Sequence, residues 1–287
     1  MARSFFESGP ELSLEDFRLL RAVIQKFCGI AFADEMLPMV ARRLRDRLGA
    51  VGVSDYGSYY RYLRYHPNGR VELEHVADAL TTNETYFFRE DYQLRALVRD
   101  VFPEIKRTGV TQRRHRLSIW SAGCSTGEEV YTLGMLIDDS RMFPGWDIRI
   151  FGSDISRTVV QTARHATYRG ASFRAMPPAF ERYFVAAADG REVRADIKAM
   201  CRFGHLNLLD AHRCAVVGQV DIIFCRNVLI YFDLESRRSV LDSFYERLVP
   251  GGYLFLGHSE SLLNVTTAFE LVHLSSDLVY RKPAAGA

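Results

Sequence analysis

The sequence predicts an α/β chain: a small all-α domain followed by a larger domain built on an open, mostly parallel sheet that ends in an antiparallel hairpin. Three observations predict it. From about residue 13 to 105, apolar residues recur at helical spacing. From residue 117 onward, apolar runs of strand length alternate with amphipathic helical stretches, the pattern of parallel strands joined by crossover helices. The chain has 287 residues, 48% hydrophobic and 25% charged, which is globular composition and enough length for two cores.

The elements follow in order. Ser13, with Asp16 three positions on, caps a first helix carrying Phe17, Leu20, Ile24 and Phe27 on one face, and Gly29 stops it. A second helix runs from about residue 37 to 48, with Leu37, Val40, Ala41, Leu44 and Leu48 inward and Gly49 ending it. Ser54 opens a third, tyrosine-rich helix that stops before Pro67. A fourth carries Leu73, Val76, Ala77 and Leu80; a fifth carries Leu94, Leu97, Val98 and Val101 and is closed by Pro103. Residues 106–116 are polar and basic and read as a surface connection.

The second half opens with a buried strand at 117–120 and a helix at 127–137. A strand at 148–154 leads to a helix after Ser156. A strand at 220–227, a helix at 234–248 and a strand at 251–259 complete the alternation. Residues 269–274 and 278–282 form the terminal hairpin. The segment 170–200 breaks the alternation around a short turn at Asp189 and Gly190, and reads as a small strand-rich insertion. The boundaries are therefore a helical domain over 12–88, a helix and linker over 89–116, and a domain over 117–287 with its insertion at about 170–203.

Bulk properties remove several classes. A net charge of +2 calls for no polyanionic partner, and the nucleic-acid reading rests only on Arg113, Arg114, His115 and Arg116, which lack interleaved aromatics. The N-terminal residues lack the apolar core of a signal peptide, and no apolar run reaches the roughly 18 residues of a membrane span, so a cytoplasmic protein without membrane insertion is expected. Cys28, Cys124, Cys201, Cys214 and Cys225 are scattered and form no C-x-x-C pair, so buried thiols are expected rather than a metal site or disulfides.

The first strand of the sheet runs into Ala122, Gly123, Cys124, Ser125, Thr126, Gly127, Glu128 and Glu129. Small residues admit a ligand close to the backbone, and a helix N-terminus follows. The glycine spacing fits neither a triphosphate loop, which also needs a lysine, nor the G-x-G-x-x-G dinucleotide loop. Two carboxylates after the second glycine would repel a pyrophosphate. They suit S-adenosylmethionine, which carries a sulfonium and an ammonium; either glutamate could instead only complement the helix dipole. Asp154, at the end of the next strand, is positioned to accept from ribose hydroxyls. Its other reading is the N-cap of the following helix, a task that Ser156 can also perform.

Several ordered segments together resemble one family. They are TNETYFFR at 82–89, WSAGCSTGEE at 120–129, SDI at 153–155, NLL at 207–209, FCRNVLIYF at 224–232 and GHSE at 257–260. The chain resembles the CheR-type chemotaxis receptor glutamate O-methyltransferases over about residues 12–282. The resemblance implies a class I S-adenosylmethionine-dependent methyltransferase, Rossmann-like, with an N-terminal helical domain and a small β-subdomain. It implies that Asn83, Thr85 and Arg89 lie on the segment closing over the cofactor. Ala122 and Gly123 would line the methionine end, and Glu128 or Glu129 would hold the ammonium. Asp154 would hold the ribose, Asn207 and Leu208 the adenine, and Arg226 and Asn227 would make the contact after the fourth strand. Arg89 and Tyr231 would flank the reacting centre as the catalytic pair.

The resemblance also implies the partner: the acidic cytoplasmic helices of a chemoreceptor, met by a basic helix that here carries Arg42, Arg43 and Arg45. Some members grip a receptor C-terminal peptide with the β-subdomain; the turn at 187–191 is short here, so peptide-independent recognition is expected. Two other readings keep the cofactor: a different methyl acceptor, or a cofactor-binding signalling adaptor.

Overall fold

A computed structural model describes residues 10–284. The chain forms two compact units, divided between Thr82 and Asn83.

Among the described residues, the first unit contains four α-helices: α1 (Leu14–Cys28), α2 (Leu37–Ala50), α3 (Tyr56–Tyr65) and α4 (Gly69–Leu80). Ser13 caps α1 by accepting from the Asp16 N–H at 3.1 Å, and Gly29 ends it in the left-handed conformation. Phe17, Leu20, Ile24, Val40, Leu44, Tyr59 and Val76 fill the core. Two boundaries differ from the sequence expectation. Gly49 stays inside α2, and it is Gly52, at φ 75°, that takes the left-handed turn. Asp55 rather than Ser54 caps α3, accepting from the Ser58 N–H at 2.7 Å.

A buried charge cluster ties three of these helices together. Arg47 donates to both oxygens of Glu72 (2.9 and 2.6 Å), and the Tyr59 hydroxyl donates to the same carboxylate at 2.6 Å. Arg43 is also committed within the unit. Its guanidinium donates to the carbonyls of Leu80 (2.9 Å) and Thr81 (3.1 Å), satisfying the C-terminal end of α4. Of the expected basic triplet, Arg42 and Arg45 are exposed and Arg43 is half-buried.

The second unit begins with a long helical run. It comprises α5 (Asp91–Ala96), a π-helical turn at Leu97–Val101 and α6 (Phe102–Thr111). Pro103 does not close the fifth helix. The π-turn lengthens the hydrogen-bond reach, so that the Phe102 N–H meets the Leu97 carbonyl and Pro103 falls in the first turn of α6, where its missing N–H costs least. Residues 106–111 are therefore helical rather than a connection. Arg114 and Arg116 are framework: Arg114 pairs with the buried Asp221, and Arg116 pairs with Asp147 at 3.1 Å.

The main sheet contains β1 (Arg116–Ala122), β2 (Asp147–Asp154), β6 (Cys201–His205), β7 (Val220–Cys225), β8 (Leu248–Leu256), β9 (Glu270–His273) and β10 (Leu278–Arg281), in the order β6-β2-β1-β7-β8-β10-β9. The first five are parallel; β10 runs antiparallel to β8 and β9, giving the expected hairpin. The crossover helices are α7 (Glu128–Ser140), α8 (Arg157–His165) and α11 (Leu234–Arg247), with short α9 (Ala195–Met200) and α10 (Ala211–Cys214) before and after β6. Strands β1 and β7 are buried almost throughout, as a sheet covered on both faces requires. The insertion is a second, three-stranded antiparallel sheet of β3 (Thr167–Tyr168), β4 (Phe184–Ala187) and β5 (Gly190–Val193). All five cysteines are buried and unbridged.

Candidate active site

The site lies where the strand order turns. β1 sits between β2 and β7, and the carboxyl ends of β1 and β7 are where an open parallel sheet of this order takes its ligand. The loop leaving β1 holds Gly123 at φ 84° and Gly127 at φ 94°. A Cβ on Gly123 would stand 2.3 Å from Val228 Cγ2, so only glycine keeps this backbone against the β7 loop. Ser153 anchors the loop. Its carbonyl accepts from the Gly123 and Cys124 N–H groups at 2.8 and 2.9 Å, and its hydroxyl accepts from Trp120 Nε1 at 2.9 Å.

Three carboxylates surround this loop, each held differently. Asp154 ends β2, with Oδ2 accepting from the Ser125 N–H and Oδ1 from the Ser156 N–H, both at 2.9 Å. Ser156, not Asp154, caps α8, accepting from the Val159 N–H at 3.2 Å. Glu128 is buried and faces the insertion, taking bonds from the Thr126 hydroxyl (2.6 Å) and the Ser172 hydroxyl (2.9 Å). Burial pushes its carboxyl above the usual range, and the two hydroxyls only partly offset this. Glu129 lies on the β7 side, accepting from Ser121 Oγ at 2.7 Å and from Arg226 Nε at 2.6 Å.

Arg226, at the end of β7, is the hub. Beyond Glu129 it donates to the Arg89 carbonyl at 2.8 Å and to Gln93 Oε1 at 3.2 Å, and it lies 3.6 Å from Glu90 Oε2. It therefore fastens the Arg89 segment to the carboxyl end of the sheet. That segment is strained: Phe88 (φ 61°) and Glu90 (φ 55°) flank Arg89 in the left-handed region, a conformation that persists only where surroundings impose it.

The insertion supplies the rest of the support. The Phe87 N–H donates to the Ser172 carbonyl at 2.9 Å, and the Phe87 ring packs on Tyr168, Phe173 and Phe184. Arg174 pairs with Glu84 at 2.6 Å and stacks 3.8 Å from the Tyr86 ring centroid. Arg89 itself donates to the Glu84 carbonyl at 2.8 Å, and the Asn83 carbonyl accepts from Ser125 Oγ at 3.2 Å. Thr85 is half-buried on the same segment.

Asn207 and Leu208, expected at the adenine, follow β6. The Leu206 N–H donates to the Asp154 carbonyl at 2.9 Å, which brings Asn207 and the buried Leu208 beside the β2 terminus. On the β7 side, Asn227 stands at φ 60° with its Oδ1 buried and unpartnered, and Tyr231 is 40% exposed at the end of a 3-10 turn. Sequence reasoning assigned no role to Gln93, Ser172, Arg174 or Glu260. Only Glu260 had a signal, its position in the GHSE segment; the Ser172 contact with Glu128 spans 44 positions and no local pattern announces it.

The donor set fits S-adenosylmethionine. An aspartate at the end of β2 and two glutamates opening α7 suit its hydroxyls and cations, the glycine loop leads into a helix N-terminus that can serve its one carboxylate, and the loop after β7 holds an unpaired buried amide oxygen. The family model for the CheR methyltransferase all-alpha domain matches residues 15–81, and that for the CheR methyltransferase SAM binding domain matches residues 83–278. This chain belongs to the CheR methyltransferase family.

As a CheR-family protein it binds S-adenosylmethionine and is a methyltransferase of chemotaxis. It is 38% identical over 278 residues to chemotaxis protein methyltransferase 2 of Vibrio cholerae serotype O1, covering 94% of each chain. It is 37% identical to chemotaxis protein methyltransferase 1 of Pseudomonas aeruginosa (93% of this chain, 97% of the relative). It is also 37% identical to the chemotaxis protein methyltransferase of Salmonella typhimurium (91% and 89%). No described helix is long and apolar enough to cross a membrane.

Proposed function

We propose that this CheR-family enzyme forms γ-methyl esters on glutamate side chains of chemoreceptor cytoplasmic helices. The observation that carries the reading is the support of Arg89. A cation on a strained turn, fastened through Arg226 to Glu129, suits an anionic acceptor brought up to a cationic cofactor. A glutamate nucleophile has a reference pKa of about 4.3 and arrives ionised, so the chemistry requires no general base.

When bound, S-adenosylmethionine supplies an electrophilic methyl group. The chain's residues bind and orient. Asp154 accepts from the ribose hydroxyls, Asn207 and Leu208 border the adenine, and Ala122 and Gly123 line the methionine end. Glu129, held between Ser121 of β1 and Arg226 after β7, is the carboxylate for the ammonium, whereas Glu128 bonds to Ser172 of the insertion. The Asn227 amide oxygen, otherwise unpartnered, accepts one further bond. Arg89 orients the substrate carboxylate loosely, since a tight bidentate pair would dull the nucleophile, and Tyr231 donates one hydrogen bond beside it. Asn83 and Thr85 complete the closing segment. Orientation and water exclusion of this kind can supply as much as roughly 7–11 kcal/mol.

The helical domain supplies docking through Arg42 and Arg45, steering the enzyme to acidic receptor helices. Reversing both charges should lower kcat/KM for receptor fragments and weaken its salt dependence, while affinity for S-adenosylhomocysteine stays unchanged; an unaltered kcat/KM rules the docking role out. Only Ala188 and Asp189 separate β4 from β5, which supports recognition without a C-terminal peptide; micromolar binding of such a peptide in calorimetry would refute it. The decisive assay is transfer of a tritiated methyl group to receptor fragments. Label released as methanol in mild base supports an ester of glutamate, and base-stable label overturns the proposal.

A further inference from the structure

Glu260 follows β8 in a loop and is half-buried. Its carboxylate accepts four backbone N–H groups. Oε2 takes those of Gly257 (2.7 Å) and Asn227 (2.8 Å), and Oε1 takes those of Val228 (2.9 Å) and Ile230 (3.1 Å). Three of the four donors belong to the loop after β7, more than 25 residues away in the chain. That loop turns too sharply to satisfy its own amides. Asn227 sits at φ 60°, and the 3-10 turn at Leu229–Tyr231 follows at once.

The two loops are also in steric contact. A Cβ at Gly257 would lie 2.7 Å from the Asn227 nitrogen and 2.9 Å from Glu260 Oε2, so the close approach requires glycine there. The same β7 loop wedges Val228 against Gly123 of the cofactor loop. Whatever sets its path sets three things together: the unpartnered Asn227 Oδ1, the outward Tyr231 and the packing on Gly123.

We infer that Glu260 is a positioning residue for methyl transfer: by collecting the amides of Asn227, Val228 and Ile230 on one carboxylate, it fixes the path of the loop that presents Asn227 and Tyr231. It touches neither cofactor nor acceptor and acts through the backbone. An anionic acceptor is required, because a glutamine in the same rotamer would turn an NH2 toward two N–H donors. Charge-assisted bonds of this type are roughly twice as strong as neutral ones. The inference rests on the proposed role of Tyr231 at the reacting centre.

The test is a double-mutant cycle with Glu260→Gln and Tyr231→Phe, read as kcat for methyl transfer and as affinity for S-adenosylhomocysteine, at a temperature where all variants are folded by circular dichroism. In the wild-type background Y231F should lower kcat about 3–10-fold, the value of one hydrogen bond. E260Q alone should weaken S-adenosylhomocysteine binding and lower kcat, each at least tenfold, with receptor KM within twofold. In the E260Q background Y231F should cost less than twofold more, because the misplaced hydroxyl has already lost its bond. Unchanged binding and kcat in E260Q, or fully additive losses, overturn the inference and leave the reading of the site intact. Y231F without effect on its own would defeat the role of Tyr231 and this inference with it. Should E260Q not fold, Glu260→Asp carries the same cycle; it keeps the charge but is too short to serve both pairs of amides.

Discussion

Removing the carboxylate of Glu129 should lower the melting temperature of the catalytic unit by an amount that Arg226 dictates. The Arg226 side chain is 4% exposed and that of Glu129 13%, and they meet at 2.6 Å. In Glu129→Ala, Arg226 keeps the Arg89 carbonyl and Gln93 Oε1, both neutral, with Glu90 Oε2 at 3.6 Å as its remaining anion. Stripping one partner from a buried pair costs about 3–5 kcal/mol, and Glu90 holds the loss near the lower end, about 3 kcal/mol. For a unit of roughly 200 residues, each kcal/mol moves the midpoint by about 2–4 °C, so the shift should be about 6–12 °C. Scanning calorimetry of Glu129→Ala, Arg226→Met and the double variant checks it. The double variant should recover part of the loss, because Arg226 is no longer stranded, while Glu90 is left without its cation. A shift under about 2 °C, or a double variant melting no higher than Glu129→Ala, would refute the reasoning.

Three further outcomes are expected. Burial raises the Glu128 carboxyl in the folded state, so its contribution to stability is present below the unfolded carboxyl pKa and is lost as pH rises through the raised folded value; Glu128→Gln should melt no lower than wild type at pH 7–8 and show a flatter pH dependence in urea titrations, and a steeper one would count against this. Glu72→Ala should destabilise the helical unit by about 3–5 kcal/mol in chemical denaturation, since it strands Arg47 and the Tyr59 hydroxyl together. Gly123→Ala should weaken S-adenosylhomocysteine binding at least tenfold in calorimetry, because a side chain at φ 84° with Val228 at 2.3 Å must displace either the glycine loop or the β7 loop.

Most of the architecture was legible because it rests on local physics. The Ser13 cap, the left-handed Gly29, the alternation of buried strands with helices and the closing hairpin are written in neighbouring residues. So was the chemical class of the cofactor, because two glutamates after a glycine turn and an aspartate at a strand end suit a cation better than a phosphate. Where the reading failed, it failed at helix boundaries. Pro103 is carried by a π-turn, and Gly49 stays exposed within α2 while Gly52 takes the left-handed turn.

The sequence by itself carried the charge and spacing after β1 and β2 that suit a cationic cofactor, since these are one-dimensional facts. Only the tertiary structure decided what each carboxylate does. Glu128 and Glu129 are adjacent in the chain, yet a helix turns neighbouring side chains by about 100°, so one meets Ser172 of the insertion and the other Arg226 of β7. The same holds for Glu260, whose four amide partners come together only because β7 and β8 lie side by side in the sheet.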